Sequence, residues 1–280
     1  MSLHRPETLD DALSLMGGGG AVALAGGTDL YPALRDGVPP SEMVDLTRVA
    51  GLRGISRDGS GWRIGAATSW TQVARAELPP LFDGLRAAAR EVGSVQIQNA
   101  GTVAGNLCNA SPAADGVPAL LALDASVELA SGTGTRVLPL AQFITGPRAT
   151  ELAPGEIVTA VLIPDAAGSG AFLKLGARRY LVISIAMVSA VVVVEAGRIA
   201  SARIAVGACS PVARRLGGLE TLLAGHEAAA TEPVILRYDY PELSPIDDVR
   251  ARAGYRREAV ATLVARAVAL AVEKEASHVA

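Results

Sequence analysis

Lysine, histidine, cysteine and aromatic residues are all scarce in this 280-residue chain, and each shortage narrows what it can do. Of 25 basic residues only Lys174 and Lys274 are lysine; the rest are arginines scattered among acids, and the net charge is −3. A nucleic-acid surface needs basic residues gathered into a patch, so no nucleic-acid partner is expected. The two cysteines, Cys108 and Cys209, are far apart and form no Cys-x-x-Cys pair. They fall short of the roughly four ligands that a structural zinc or an iron–sulfur cluster needs, so no metal site is expected within the chain. The three histidines are His4, His226 and His278, two of them near the termini. Gly-x-Ser-x-Gly, His-Glu-x-x-His and Gly-x-Gly-x-x-Gly strings are absent, as is any Gly-Lys pair. Hydrolase triads, zinc peptidase sites, P-loops and standard Rossmann nucleotide sites lose their usual signals. The N-terminal stretch lacks the basic-then-apolar pattern of a signal peptide. The longest apolar run, 183–194, is broken by Ser184 and Ser189 and is shorter than the roughly 20 residues of a membrane helix. The expectation is a cytoplasmic protein without membrane insertion. So few nucleophiles and bases fit either a binding module or a protein whose cofactor carries the chemistry.

Half of the residues are apolar, which is ample for a sizeable core. Thr8 is placed to cap a helix bearing Leu9, Ala12, Leu13 and Met16 on one face. A short strand, 21–24, is expected next, then a glycine turn, a helix from about Thr28 to Asp36 and a strand over 43–46. Hairpins are expected across Asp58-Gly59-Ser60-Gly61 and across Gly132-Thr133-Gly134. Helices are expected near 70–76, 81–92 and 117–123, with an irregular polar loop over 93–115 and a strand over 157–163. After a boundary at 164–170, three strands in an antiparallel meander and helices near 214–224 and 255–276 are expected, with an extended linker over 231–250. The architecture reads as α+β, divided into 1–55, 56–167 and 168–280: two small mixed lobes, then an antiparallel sheet with helices on one face.

Two glycine turns stand out. Ala25-Gly26-Gly27-Thr28-Asp29-Leu30 lies between a strand and a helix, where absent side chains and free N–H groups would let an anion approach, with Thr28 able to cap the helix. Taken alone, this is also what an ordinary strand-to-helix turn looks like. The second, Gly101-Thr102-Val103-Ala104-Gly105-Asn106, opens the long polar loop that runs through Ser111 to Asp115. Long irregular loops are usually functional, although such a loop can also serve only its own backbone. Lys174 sits inside a short strand, where alternation points it to solvent.

In order and spacing, the strings HRPETLDDAL, LAGGTDLYPALRDG, NAGTVAGNLCNASPAAD, PGEIVTAVLIP and AFLKLGARRYLVISIAMVSAVV resemble the FAD-binding medium subunit of the molybdenum hydroxylases. That family includes xanthine dehydrogenase, carbon monoxide dehydrogenase and 4-hydroxybenzoyl-CoA reductase. The resemblance covers nearly the whole chain. It implies a two-lobed FAD-binding fold of the vanillyl-alcohol-oxidase and UDP-sugar-reductase type, with a C-terminal three-stranded antiparallel sheet and helices. It implies that Ala23, Leu24, Ala25, Gly26, Gly27, Thr28, Asp29 and Leu30, together with Thr102, Val103, Ala104, Gly105 and Asn106, hold the diphosphate and ribityl chain of FAD. Ser111 falls in the same second segment, Asp115 matches an acidic flavin ligand, Val158 an apolar contact, and Lys174 a lysine near the isoalloxazine. The partners it implies are a [2Fe–2S] iron–sulfur subunit and a molybdopterin-binding large subunit. This chain would pass electrons between the clusters and an acceptor. Ala104 departs from the family's usual glycine and requires a negative φ, and Gln98 stands where an arginine is frequent. The inserted cysteine-bearing loop of the 4-hydroxybenzoyl-CoA reductase type is absent, which excludes its extra cluster. A stand-alone flavin reductase and a flavin-free scaffold subunit are the competing readings.

Overall fold

The computed structural model describes residues 1–35 and 37–279, with the side chains of 278 and 279 excepted. Asp36, the expected end of the second helix, lies outside the described residues, as does Ala280. The first lobe is a three-stranded parallel sheet in the order Ser2–His4, Glu42–Asp45, Val22–Leu24. The Leu9–Gly17 helix covers it, and Thr8 accepts from the Asp11 N–H at its start, as the sequence suggests. The edge strand Ser2–His4 is a correction, because three residues at a chain end carry no periodicity to read. Ala12, Val44, Leu46, Val49 and Leu52 form this lobe's small core, and Ala67 and Ile157 of the second lobe close it.

The second lobe is a five-stranded antiparallel sheet in the order Ile55–Asp58, Gly61–Gly65, Ile157–Pro164, Ser126–Ser131, Gly134–Pro139. Both expected hairpins are present. The last strand in sequence is inserted between them, and it is buried over nearly its whole length. The Trp70–Arg75 helix begins at a capping box of Ser69 and Gln72, and the Asp83–Glu91 helix packs beside it. The stretch expected to be an irregular loop over 93–115 instead contains two short helices, Val95–Ala100 and Val103–Asn109, capped by Ser94 and Thr102. Six and seven residues are too few for a helical apolar period, so only the caps could have signalled them.

The C-terminal sheet has four strands rather than three: Ser169–Leu175, Ala186–Glu195, Arg198–Gly207 and Arg214–Arg215, all antiparallel. Arg214 and Arg215, expected to open a helix, pair with Val206 and Ala205, and the helix is Gly217–Leu223. The expected linker holds a short Glu232–Leu236 helix, and the last helix is Ala253–Val279. Among the described residues, no helix is long and apolar enough to cross a membrane. The strand Ala186–Glu195 is buried on both faces. Met187 and Val191 join the core of the second lobe, while Val188, Ala190 and Val192 pack towards the long helix. That double burial explains its near-continuous apolar run.

This sheet meets the second lobe through two glycines. A Cβ on Gly170 would lie 2.6 Å from the Leu81 carbonyl oxygen and 2.9 Å from the Gly84 nitrogen; one on Gly84 would lie 2.9 Å from the Ala171 carbonyl oxygen. Backbone therefore rests on backbone, and no methyl fits. Gly170→Ala is expected to destabilise the chain by about 1–3 kcal/mol, the range for overpacking. Gly59→Ala, where a Cβ meets nothing within 4 Å, should leave the urea midpoint nearly unchanged.

Candidate functional site

The strand Val22–Leu24 runs out into the first glycine turn, and the five-residue Leu30–Leu34 helix follows. Gly27 has φ +67°, a conformation that glycine adopts without strain. Asp29 rather than Thr28 occupies the cap position, and no side chain caps this helix. A single turn and a half of helix adds little dipole, so the turn's chemistry comes from its backbone. Among the described residues, the N–H groups of Gly26, Gly27, Thr28, Asp29 and Leu30 have no protein acceptor. Such a row of unpaired N–H groups is a cradle for an anion.

The second turn is built differently. Thr102 caps the Val103–Asn109 helix, and its Oγ1 accepts from the Gly105 N–H at 3.0 Å. The Val103 and Ala104 N–H groups donate to the carbonyls of Thr68 and Ala66, and the Asn106 N–H to that of Thr102. Among the described residues only the Thr102 N–H of this turn has no acceptor, so the turn is a wall more than a cradle. Ala104 lies in right-handed helix, so its methyl meets the condition of negative φ. Gln98 donates from Nε2 to the Arg90 carbonyl, fastening the preceding helix in place.

The two turns touch. A Cβ on Gly26 would overlap the Ala100 carbonyl oxygen and lie 2.9 Å from the Gly101 Cα; one on Gly101 would lie 3.4 Å from Thr28 Oγ1. Between them opens a cleft of about 430 Å³, lined by every expected site residue except Val103, Ser111, Asp115 and Lys174. Val158 lies on its floor, in the central strand of the second sheet. Leu46, Leu52, Trp70 and Ile157 add apolar wall, and sequence reasoning did not single them out. Asn106 carries a buried side-chain oxygen without a partner among the described residues. A row of unpaired N–H donors, an orphaned amide oxygen and an apolar floor fit a ligand with a diphosphate, polar linkers and flat rings, which is the make-up of FAD.

The charged lining residues are Asp29 and Glu156. Arg136 binds Glu156 through Nε at 2.7 Å and Nη2 at 2.8 Å, which holds its carboxyl below the usual range. Asp29 accepts from Arg148 Nη1 at 2.8 Å. The four residues outside the cleft have clear places. Val103 is fully buried in the core of the second lobe, and Ser111 Oγ accepts from the Ala113 N–H in a local turn. Asp115 and Lys174 are each other's partners at 2.7 Å, with side chains only 9% and 7% exposed. Lys174 also donates to the Glu91 carbonyl, and Ser184 Oγ donates to the other carboxylate oxygen of Asp115. Lys174 thus faces the second lobe and not solvent, because the C-terminal sheet is covered on that side too. Burial pushes the Asp115 carboxyl up, and Lys174 and Ser184 pull it back down.

Two lobes with a cleft between them, walled by a row of unpaired N–H groups on one side and floored by apolar side chains, are the make-up of a flavoprotein of the FAD-binding type. Residues 1–166 match the family described as FAD binding domain in molybdopterin dehydrogenase, and residues 171–271 match the CO dehydrogenase flavoprotein C-terminal domain. The chain belongs to this family of FAD-binding subunits of molybdenum hydroxylase-type oxidoreductases. It is 31% identical over 283 residues to the 6-hydroxypseudooxynicotine dehydrogenase complex subunit alpha of Paenarthrobacter nicotinovorans, covering 96% of this chain and 93% of that one. It is 34% identical to a putative xanthine dehydrogenase FAD-binding subunit of Escherichia coli K12, covering 91% and 88%. Its fold superposes on a chain of reconstituted CO dehydrogenase from Oligotropha carboxidovorans with a TM-score of 0.90 at 26% identity, covering 98% of both. The family resemblance, the fold class and FAD as the cofactor expected from the sequence are borne out.

Lys174→Met would leave Asp115 buried without its cation, a loss of about 3 kcal/mol. Asp115 has a raised pKa in the folded state, so its contribution to stability is present below its unfolded pKa and fades as pH rises through the folded one. Urea midpoints of Lys174→Met should therefore show a smaller deficit in mild acid than above neutrality. Adding Asp115→Asn should recover part of it.

Proposed function

We propose that this chain holds FAD in the cleft between its lobes and serves as the electron-carrying subunit of a molybdenum-dependent hydroxylase or dehydrogenase complex. Its partners in this reading are a [2Fe–2S] iron–sulfur subunit and a molybdopterin-binding large subunit. Bound FAD supplies the redox chemistry, the exchange of electrons between the clusters and an acceptor. The chain's own residues bind, orient and exclude water. The N–H groups of Gly26 to Leu30 receive the diphosphate, with Thr28 Oγ1 beside them. Thr102, Ala104, Gly105 and Asn106 form the facing wall, and Asn106 offers its orphaned oxygen. Val158 and the apolar lining keep water from the rings. Asp115, Lys174 and Ser184 lock the C-terminal sheet against the second lobe, outside the lining of the cleft. The division into 1–55, 56–167 and 168–280 assigns the cradle to the first lobe, the facing wall and floor to the second, and the packing against the second lobe to the third.

The observation that carries the reading is the row of five adjacent N–H groups without acceptors, in a cleft of a chain whose family binds FAD. Gly27→Ala forces a methyl into a left-handed turn and to 2.6 Å from the Tyr31 ring, turning those N–H groups aside. FAD affinity, followed by flavin fluorescence, should fall by at least about tenfold, the scale of one lost charge-assisted contact. Gly197→Ala carries similar backbone strain at φ +75° in the distant hairpin and should bind FAD normally. Native purification should bring down an iron–sulfur and a molybdopterin protein, and the flavin band should bleach when the reduced iron–sulfur partner is added without oxygen. A chain that purifies alone and bleaches only with a nicotinamide donor would instead be a free-standing reductase.

A further inference from the structure

The cleft has a charge problem that the flavin reading does not solve. A diphosphate brings negative charge, yet among the described lining residues there is no lysine or arginine, and the two charged ones are acids. Glu156 is already neutralised by Arg136, which spends Nε and Nη2 on it and shares Nη2 with the Glu151 carbonyl. Asp29 lies within the row of unpaired N–H groups itself, where a bare carboxylate would repel the phosphates that those groups attract.

Arg148 answers this. It lies in the turn between the strands Ile144–Gly146 and Ala149–Thr150 of the second lobe, with φ +60°. Its own N–H donates to the Ala110 carbonyl at 2.9 Å, which anchors its root at the end of the Val103–Asn109 helix, behind the second turn. Its side chain reaches over to Asp29 in the first turn, so one residue spans the rim of the cleft. Only Nη1 is engaged; Nε and Nη2 have no acceptor among the described residues, and the side chain is 60% exposed. A half-exposed single-point ion pair contributes little to stability, so a purely structural purpose explains the arrangement poorly.

We propose that Arg148 is the cation that meets the diphosphate of FAD, gripping Asp29 with one nitrogen and presenting the rest of its planar fork to phosphate oxygens. This rests on the flavin reading above. The guanidinium fork suits phosphate, and an arginine pre-oriented by an acid loses less freedom on binding. Asp29 then acts as a positioning residue, holding the arginine over the cradle at the cost of its own repulsion.

The test is a titration of the full-length flavin-free chain with FAD, and with ADP as competitor, at several salt concentrations. Arg148→Gln should weaken both FAD and ADP by roughly tenfold and flatten the salt dependence, because one phosphate cation is lost. Arg148→Lys should restore part of the affinity. Asp29→Asn should weaken FAD by clearly less than Arg148→Gln, since the arginine loses its orientation but keeps its charge and a repelling carboxylate is removed. Unchanged FAD and ADP affinity in Arg148→Gln would overturn the proposal. Equal weakening by Arg148→Gln and Asp29→Asn would also overturn it, since the pair would then be shaping the rim and not meeting phosphate. A wild-type chain that binds neither FAD nor ADP would overturn the flavin reading itself, and this inference with it.

Discussion

The molecule depends on one contact between two stretches of backbone, Gly26 against Ala100 and Gly101. A Cβ at Gly26 would overlap the Ala100 carbonyl oxygen, so the approach exists only because that side chain is absent. The contact brings the first lobe's turn against the second lobe's turn and thereby makes a cleft out of two separate loops. It also gives Gly26 a reason distinct from ligand approach: the glycine is demanded by packing, whereas Gly27 is demanded by its left-handed backbone. Two adjacent glycines in one motif are thus required on different physical grounds.

The two turns divide the work. In the first, consecutive N–H groups are left open. In the second, the cap of Thr102 and the carbonyls of Thr68 and Ala66 consume most of the donors, which makes the helix start rigid. A rigid wall facing an open cradle is a pre-organised site, in which little ordering remains to be done on binding. It also explains why alanine is acceptable at 104. That position contributes a methyl to a helix and no special backbone geometry. The C-terminal sheet is fastened to the second lobe by the Gly84–Gly170 approach and by the buried Asp115–Lys174–Ser184 cluster.

Local features were legible. The hairpins at Asp58–Gly61 and Gly132–Gly134, the Thr8 cap and the strand–glycine–helix turn all arise from neighbours in sequence, and all are present. The errors have one character. Ser2–His4 and Arg214–Arg215 are strands only because a partner lies alongside them, with no propensity of their own. The helices Val95–Ala100 and Val103–Asn109 are short enough for their caps to outweigh any pattern. Alternation alone points Lys174 to solvent because it assumes one wet face, and this sheet has none at that point.

By itself, the sequence determined what the chain lacks for chemistry, where its glycine turns fall, and the family and cofactor those turns imply. These follow from residue identity and near spacing, which act through local sterics and hydrogen bonding. Only the tertiary structure decided that the central strand of the second sheet is its last in sequence, that Asp115 and Lys174 neutralise each other, and that Arg148 reaches Asp29 from more than a hundred residues away. The physical reason is that burial and charge pairing depend on distance in space. Chain connectivity does not fix that distance until the two turns have met.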